Sequence, residues 1–253
     1  MTAYTGKQYV ELFHLLFLTQ LGRKVDKKFY ALKGGCNLRF FLKSPRYSQD
    51  MDLDVKEIPV HRLGDRVNNI LTSQPFAQIL KVRGIGIGHI NDDKQIQTVQ
   101  RWKLGLVVPR IEKPLPTKIE FSRRGMHSDV RFEAIDPTIV EAYELQPLMT
   151  NHYSRQIAYQ QKVQALMDRK ELQARDTFDL DLLLASGVKA NDLPGKLGNR
   201  IGEAKENVFD TSFDMFAGQV LAYLPAKDQA MYEKKAWDAM RLRVIEALEE
   251  IES

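Results

Sequence analysis

Apolar side chains recur at helical spacing at the start of the chain, where Val10, Phe13, Leu16, Phe17 and Leu21 predict an amphipathic helix from Gly6 to Leu21. The run "YVELFHLLFLTQLG" is the longest apolar stretch, but Glu11, His14 and Gln20 interrupt it, so it reads as a core helix rather than a membrane span. "KKFYALKGG" then predicts a short strand ending in two glycines. Cys36 to Leu42, apolar with Arg39 set into it, predicts a helix that stops before Ser44-Pro45. In "QDMDLDV" the period changes to two: Asp50, Asp52 and Asp54 alternate with Met51 and Leu53, and extended backbone puts all three acids on one face.

Further on, "VHRLGDRVNNILTSQPFAQIL" has helical period, with Leu63, Val67, Ile70 and Leu71 on one side. "RWKLGLVVP" and "TKIEFSRR" alternate as strands, and Pro109, Pro114 and Pro116 are expected to confine their connection to a loop. Lys118 and Glu120 share one face of the second strand, Ile119 and Phe121 the other. "RGIGIGH" lacks the Gly-Lys-Ser/Thr ending of a phosphate loop and reads as a strand or turn. After Pro147 the pattern is helical: a long helix, a polar break, a second helix ending near Gly187, a turn at Leu193-Pro194-Gly195, and a charged last helix through Trp237 to Ile251. The chain therefore divides near residue 145 into an α/β front, 1–145, and a helical back, 146–253, with no Pro/Gly/Ser-rich linker between them. The expectation is two parts that pack around a shared cleft.

Composition changes this picture little. At 253 residues, 43% hydrophobic and 28% charged, the chain is an ordinary globular one with room for a real core. Its single cysteine, Cys36, rules out an internal disulfide and thiolate-held zinc, and fits a reducing cytoplasm. A net charge of +4 permits a nucleic-acid partner without requiring one. The basic clusters Arg123-Arg124, Lys234-Lys235 and Arg241 with Arg243 are either solvated faces or, if they line the acidic site, a track for RNA phosphates. His14, His61, His89, His127 and His152 have no metal-ligand spacing.

Three carboxylates on one strand face repel, so either a divalent cation or a solvated edge must account for them. Asp50 and Asp52 are spaced to share two Mg²⁺ ions bridging a nucleoside triphosphate, and Glu120 is a candidate third carboxylate that orients or deprotonates an attacking hydroxyl. For Asp54, ligation, bracing and solvation all stay open. Gly34 and Gly35 before a helix offer backbone N–H groups to phosphate, and Ser48 is placed to bond a phosphate or to brace the acid loop. Glu120 has a plainer reading as a surface partner of Lys118 or Arg123, and Lys162 with Asp176 as an inter-helix ion pair.

The blocks "LKGGCNLRFFL", "RYSQDMDLDV", "KIEFSRR" and "KVQALMDRKELQARDTFDLDLLL", spanning roughly Phe29 to Leu184, resemble in order and spacing the AbiEii/AbiGii toxin family of the DNA polymerase β-like nucleotidyltransferase superfamily. The resemblance implies an α+β fold: a polymerase β-like mixed sheet with flanking helices, then a helical C-terminal region, 146–253, that completes the active-site cleft. It implies a Mg²⁺-dependent enzyme, with Mn²⁺ as a substitute, that moves NMP from an NTP to an acceptor hydroxyl at a tRNA 3′ end. The setting would be a type IV toxin–antitoxin or abortive-infection system, with a cognate antitoxin as partner and no membrane.

Carried over residue by residue, Asp50, Asp52 and Glu120 are metal ligands, and Gly34, Gly35, Ser48 and Lys162 hold the triphosphate. Asp176 positions the substrate or Lys162, with Arg175 before it and Asp179 after. The gap from Gly35 to Asp50 is longer than in the polymerase β signature. Cys36-Asn37 replaces the small residues usual after the glycines, which opens the question of what assists the phosphate turn. The competing reading is a nucleotide- or partner-binding module on the same fold without turnover, against which the intact Asp50, Asp52, Glu120, Lys162 and Asp176 argue.

Overall fold

A computed structural model describes residues 4–169, 171–190 and 200–252. The chain forms two compact units, Met1–Phe41 with Tyr47–Tyr153, and Leu42–Arg46 with Ser154–Ser253. The expected turn at Leu193-Pro194-Gly195 lies outside the described residues.

In the first unit, α1 (Gly6–Lys24) starts at a capping box: Thr5 Oγ1 accepts from the Gln8 N–H and the Gln8 side chain accepts from the Thr5 N–H. Its side chains from Tyr9 to Leu18 are all buried, as expected of a core helix. Glu11 tolerates this because Arg39 and the Tyr143 hydroxyl both donate to it, at 2.7 and 2.8 Å. Strand β1 (Tyr30–Lys33) runs directly into α2 (Gly34–Phe41), and β2 (Met51–Val55) carries the acids. The next helical stretch is two helices, α3 (Val60–Leu71) and α4 (Gln74–Val82), because the Ser73 hydroxyl accepts from the Phe76 N–H and starts a new helix with Pro75 in its first turn.

Strands β3 (Gly86–Ile96), β4 (Val99–Val108) and β5 (Ile111–Ser122) form an antiparallel meander. "RGIGIGH" is the Gly84 turn and the start of β3, not a phosphate loop. The proline expectation is corrected. Only Pro109 and Arg110 make the turn, closed by the Val108–Ile111 pair, while Pro114 and Pro116 lie inside β5. There β5 pairs with β4 alone, since β2 joins it only at Ile119 to Ser122, and a proline missing its N–H costs nothing on the unpaired side.

The sequence reading placed none of three elements: β6 (Val130–Ala134), α5 (Pro137–Ala142), although Asp136-Pro137 is a helix-start signal, and β7 (Met149–Tyr153). They complete a mixed seven-stranded sheet in the order β3-β4-β5-β2-β1-β7-β6. Strand β2 is antiparallel to β1 and parallel to β5, and β1 is parallel to β7. Met51, Leu53, Ile119 and Phe121 point from the sheet into the core around α1, which commits the alternate residues to the other face.

The second unit is helical: α6 (Arg155–Asp168), α7 (Ala174–Ala185), α8 (Ile201–Phe209), α9 (Phe213–Gln219), α10 (Ala226–Gln229) and α11 (Lys234–Glu252). Gly187, at φ +91°, follows α7 as a left-handed stop. Phe178, Phe216, Val220 and Trp237 form a core under α7, with the Phe216 and Trp237 rings stacked at 4.5 Å. Among the described residues no helix is long and apolar enough to cross a membrane.

Candidate active site

The register of four strands builds a row in which two acids lie side by side between two bases. Lys33 lies opposite Asp52, Asp52 opposite Glu120, and Glu120 opposite Arg101, across β1, β2, β5 and β4. One step back, Lys118 joins the group: its Nζ stands 3.4 Å from Asp50, 3.8 Å from Glu120 and 3.9 Å from Asp52. Three carboxylates thus surround one ammonium, and all four side chains are 22–32% exposed. Arg101 Nε donates to Glu120 Oε2 at 2.6 Å and holds that side chain against the sheet. Burial raises the Asp52 carboxyl above the ordinary aspartate range; Lys118 pulls it back, while Asp50 and Glu120 push it further up.

Gly34 borders this group. It has φ +63°, and a Cβ there would sit 3.1 Å from Asp52 Oδ2, so both backbone conformation and space demand glycine. Asp54 is different: 4% exposed, it accepts from Lys33 at 2.5 Å and from the Tyr153 hydroxyl at 2.8 Å. It is a structural acid tying β2 to β1 and β7.

A buried polar layer holds the loop before Asp50. Ser48 Oγ and Cys36 Sγ both donate to the Asp50 carbonyl, at 2.8 and 3.3 Å, and Thr117 Oγ1 donates to the Gln49 carbonyl at 2.7 Å. With its proton spent, Thr117 Oγ1 accepts from His14 Nε2 at 2.8 Å, which fixes that tautomer. His14 is fully buried, and burial drops its pKa to about 3. Asn37, also buried, donates to the Tyr153 carbonyl and faces His152 Nδ1. Cys36 and Asn37 therefore brace the fold instead of reaching toward a ligand.

In the second unit Lys162 Nζ lies 2.8 Å from Asp176 and 2.6 Å from Asp179. Arg46, from the segment that packs with this unit, meets Asp179 through Nε and Nη2 at 2.8–3.3 Å, and Arg169 Nε lies 2.5 Å from Asp176. Both carboxylates are completely buried and Lys162 nearly so. Burial alone would raise the Asp176 carboxyl, but Lys162 and Arg169 outweigh it and hold it below its ordinary value. Among the described residues, three cations, Arg46, Lys162 and Arg169, are in contact with these two carboxylates.

The family model described as nucleotidyl transferase AbiEii toxin, type IV TA system, matches residues 16–252. The chain belongs to this family. It is an AbiEii nucleotidyltransferase toxin, and membership in a type IV system implies a nucleotide substrate and a cognate antitoxin. The fold is also that of MenT4, the nucleotidyltransferase toxin Rv2826c from Mycobacterium tuberculosis H37Rv, with TM-score 0.63 and 17% identity over 96% of this chain and 84% of that one. JHP933 from Helicobacter pylori superposes with TM-score 0.57 and 16% identity over 98% and 96%. No curated protein matches the chain.

Within this AbiEii chain the sheet brings Asp50, Asp52, Glu120 and Gly34 together, and Gly35 follows in the first turn of α2. Ser48 lies in the same unit with its hydroxyl turned to backbone. Lys162 and Asp176 join each other in the second unit as a buried pair. Sequence reasoning missed the central position of Lys118, the clamp from Arg101, and the roles of Arg46 and Arg169. The signal for Lys118 was its shared face with Glu120; for Arg46 it was the first position of "RYSQDMD". Arg123, Arg241 and Arg243 are engaged internally, by Gln100 and the Ile58 carbonyl, by the Phe209 and Thr211 carbonyls, and by Asp181 respectively.

Hard oxygen donors gathered where a cation already stands fit a divalent metal, and Lys118 is the stand-in. Among the described residues no three such side chains already converge as a closed metal cage, so ligation requires the acids to draw in from their positions around the ammonium.

Proposed function

We propose that this toxin transfers NMP from an NTP to an acceptor hydroxyl at a tRNA 3′ end in a Mg²⁺-dependent reaction. The observation that carries the reading is the convergence of Asp50, Asp52 and Glu120 on one ammonium beside Gly34. Residues 1–145 are the transfer core in this proposal, and 146–253 are a helical region with its own basic cluster. A divalent cation, Mg²⁺ or Mn²⁺, held by Asp50 and Asp52 with Glu120 as the third acid, supplies Lewis-acid stabilisation of charge on the phosphates and the attacking oxygen.

Glu120, oriented by Arg101, takes the proton of the acceptor hydroxyl. The freed oxygen attacks the α-phosphorus, the bond from that phosphorus to the α,β-bridging oxygen breaks, and pyrophosphate leaves. Backbone N–H groups at Gly34 and Gly35 receive phosphate oxygens, supported by the first-turn donors that an α-helix leaves unpaired. Ser48 serves by fixing the Asp50 carbonyl. In the helical unit Lys162 is proposed as a nucleotide contact whose ammonium Asp176 holds in place.

The test is incubation of the protein with each α-³²P-labelled NTP, Mg²⁺ and total cellular RNA. Label in a discrete tRNA-sized band, lost on addition of EDTA and in Asp50→Asn with Asp52→Asn, is expected. Label retained in that double variant, or appearing in protein rather than RNA, would overturn the assignment.

A further inference from the structure

Lys118 does more than balance charge on a sheet. An ordinary surface lysine docks on one carboxylate at hydrogen-bond distance, but this ammonium stands between three, with no contact shorter than 3.4 Å. It is therefore shared by the three acids rather than docked on one. A divalent cation binding the same carboxylates at roughly 2.0–2.1 Å competes with the ammonium for their lone pairs and repels it by charge. Lysine is suited to leaving: its stem is flexible, its head is strongly hydrated, and about a quarter of the side chain already meets solvent.

We propose that Lys118 is a resident counter-cation that keeps the acids assembled in the metal-free enzyme and is displaced when metal binds. The inference rests on the metal-dependent reading above and adds what that reading lacks, a reason for metal and nucleotide to bind together. Metal alone must evict the ammonium into water. With an NTP present, the displaced ammonium gains a phosphate partner, so the two ligands favour one another. Lys118 thereby guards the enzyme against loading with metal in the absence of substrate.

The experiment measures Mn²⁺ binding by the EPR signal of the free ion, with and without a non-hydrolysable NTP analogue. It compares the full-length protein with Lys118→Met, Lys118→Gln, and Asp50→Asn combined with Asp52→Asn, each checked for native circular dichroism. Expected is Mn²⁺ affinity without nucleotide raised about tenfold or more in both Lys118 variants, because the competing cation is gone, and a smaller tightening on adding the analogue than in the parent. The metal-free Lys118 variants should also melt lower than the parent and recover on adding Mn²⁺. Unchanged or weaker Mn²⁺ affinity in the folded Lys118 variants, with affinity lost in the double aspartate variant, overturns this inference alone. Mn²⁺ binding that ignores the double aspartate change takes the metal reading down with it.

Discussion

The buried charge cluster of the second unit makes an ordering prediction that separates packing from chemistry. Asp179 is completely buried and is the shared counter-ion of Arg46 and Lys162, with contacts from 2.6 to 3.3 Å. Asp179→Ala takes this shared carboxylate away from Arg46 and from Lys162, which keeps Asp176 at 2.8 Å. Removing one partner from a buried pair costs about 3–5 kcal/mol, because a buried charge loses a counter-ion. At about 2–4 °C per kcal/mol for a chain of this size, the melting point should drop by about 6–20 °C. Lys162→Met is different: Asp176 keeps Arg169 at 2.5 Å and Asp179 keeps Arg46, so each carboxylate retains a cation. Its cost should be smaller, about 1–3 kcal/mol, since charged hydrogen bonds are lost but a buried ammonium is also removed and methionine fills the stem's volume.

The assay exploits the two tryptophans, Trp102 in the first unit and Trp237 in the second, both fully buried. In a Trp102→Phe background, urea unfolding followed by fluorescence reports the second unit through Trp237. Lys162→Met should remain folded at neutral pH and yet lose NTP affinity. If Lys162→Met proves as destabilising as Asp179→Ala, the cluster is held together chiefly by the lysine and the assignment of Lys162 to ligand binding loses its basis.

Three further outcomes follow from the first unit. His14, with a folded pKa of about 3 against an ordinary 6.5, stays neutral while the unfolded chain binds a proton below pH 6.5. Stability should therefore fall as pH drops, by about 1.4 kcal/mol per unit and about 2 kcal/mol between pH 6.5 and 5 from this residue. Urea titrations of His14→Gln should show a slope shallower by that amount; burial also lowers the His152 pKa, and its like-signed contribution is common to both proteins. Gly34→Ala must place a Cβ at φ +63° and 3.1 Å from Asp52 Oδ2, costing roughly 1–2 kcal/mol in conformation and displacing the carboxylate. RNA labelling should fall at least tenfold with the fold intact by circular dichroism, and unchanged labelling would remove Gly34 from the site. Expression of the toxin alone should arrest growth, and Asp50→Ala should relieve the arrest at equal protein level; persistence of the arrest would point away from metal-dependent transfer.

Local periodicity by itself determined the elements whose pattern is strong. The helix after the glycines, the alternation that puts Asp50 and Asp52 on one face with Met51 and Leu53 on the other, and the shared face of Lys118 and Glu120 are consequences of periods of 3.6 and 2, which are properties of the chain near each residue. A short exposed strand such as β6 carries too little burial to leave a pattern. Nor does composition report a strand's lateral neighbours: Pro114 and Pro116 argued for a loop and are tolerated because β5 outruns β2 there.

What tertiary structure alone decided is the partnership of groups far apart in the chain. The parallel pairing that sets Asp52 beside Glu120, with Lys118 among the acids, is a choice of register, and a slip by one residue would have sent the acids into the core. Asp54 looked equivalent to its neighbours by spacing, yet Tyr153 and Lys33 make it a buried brace. His14 under the Gln49–Asp50 loop and Arg46 on Asp179 likewise belong to buried clusters, where a polar group must find its partner in space because water is not there to serve.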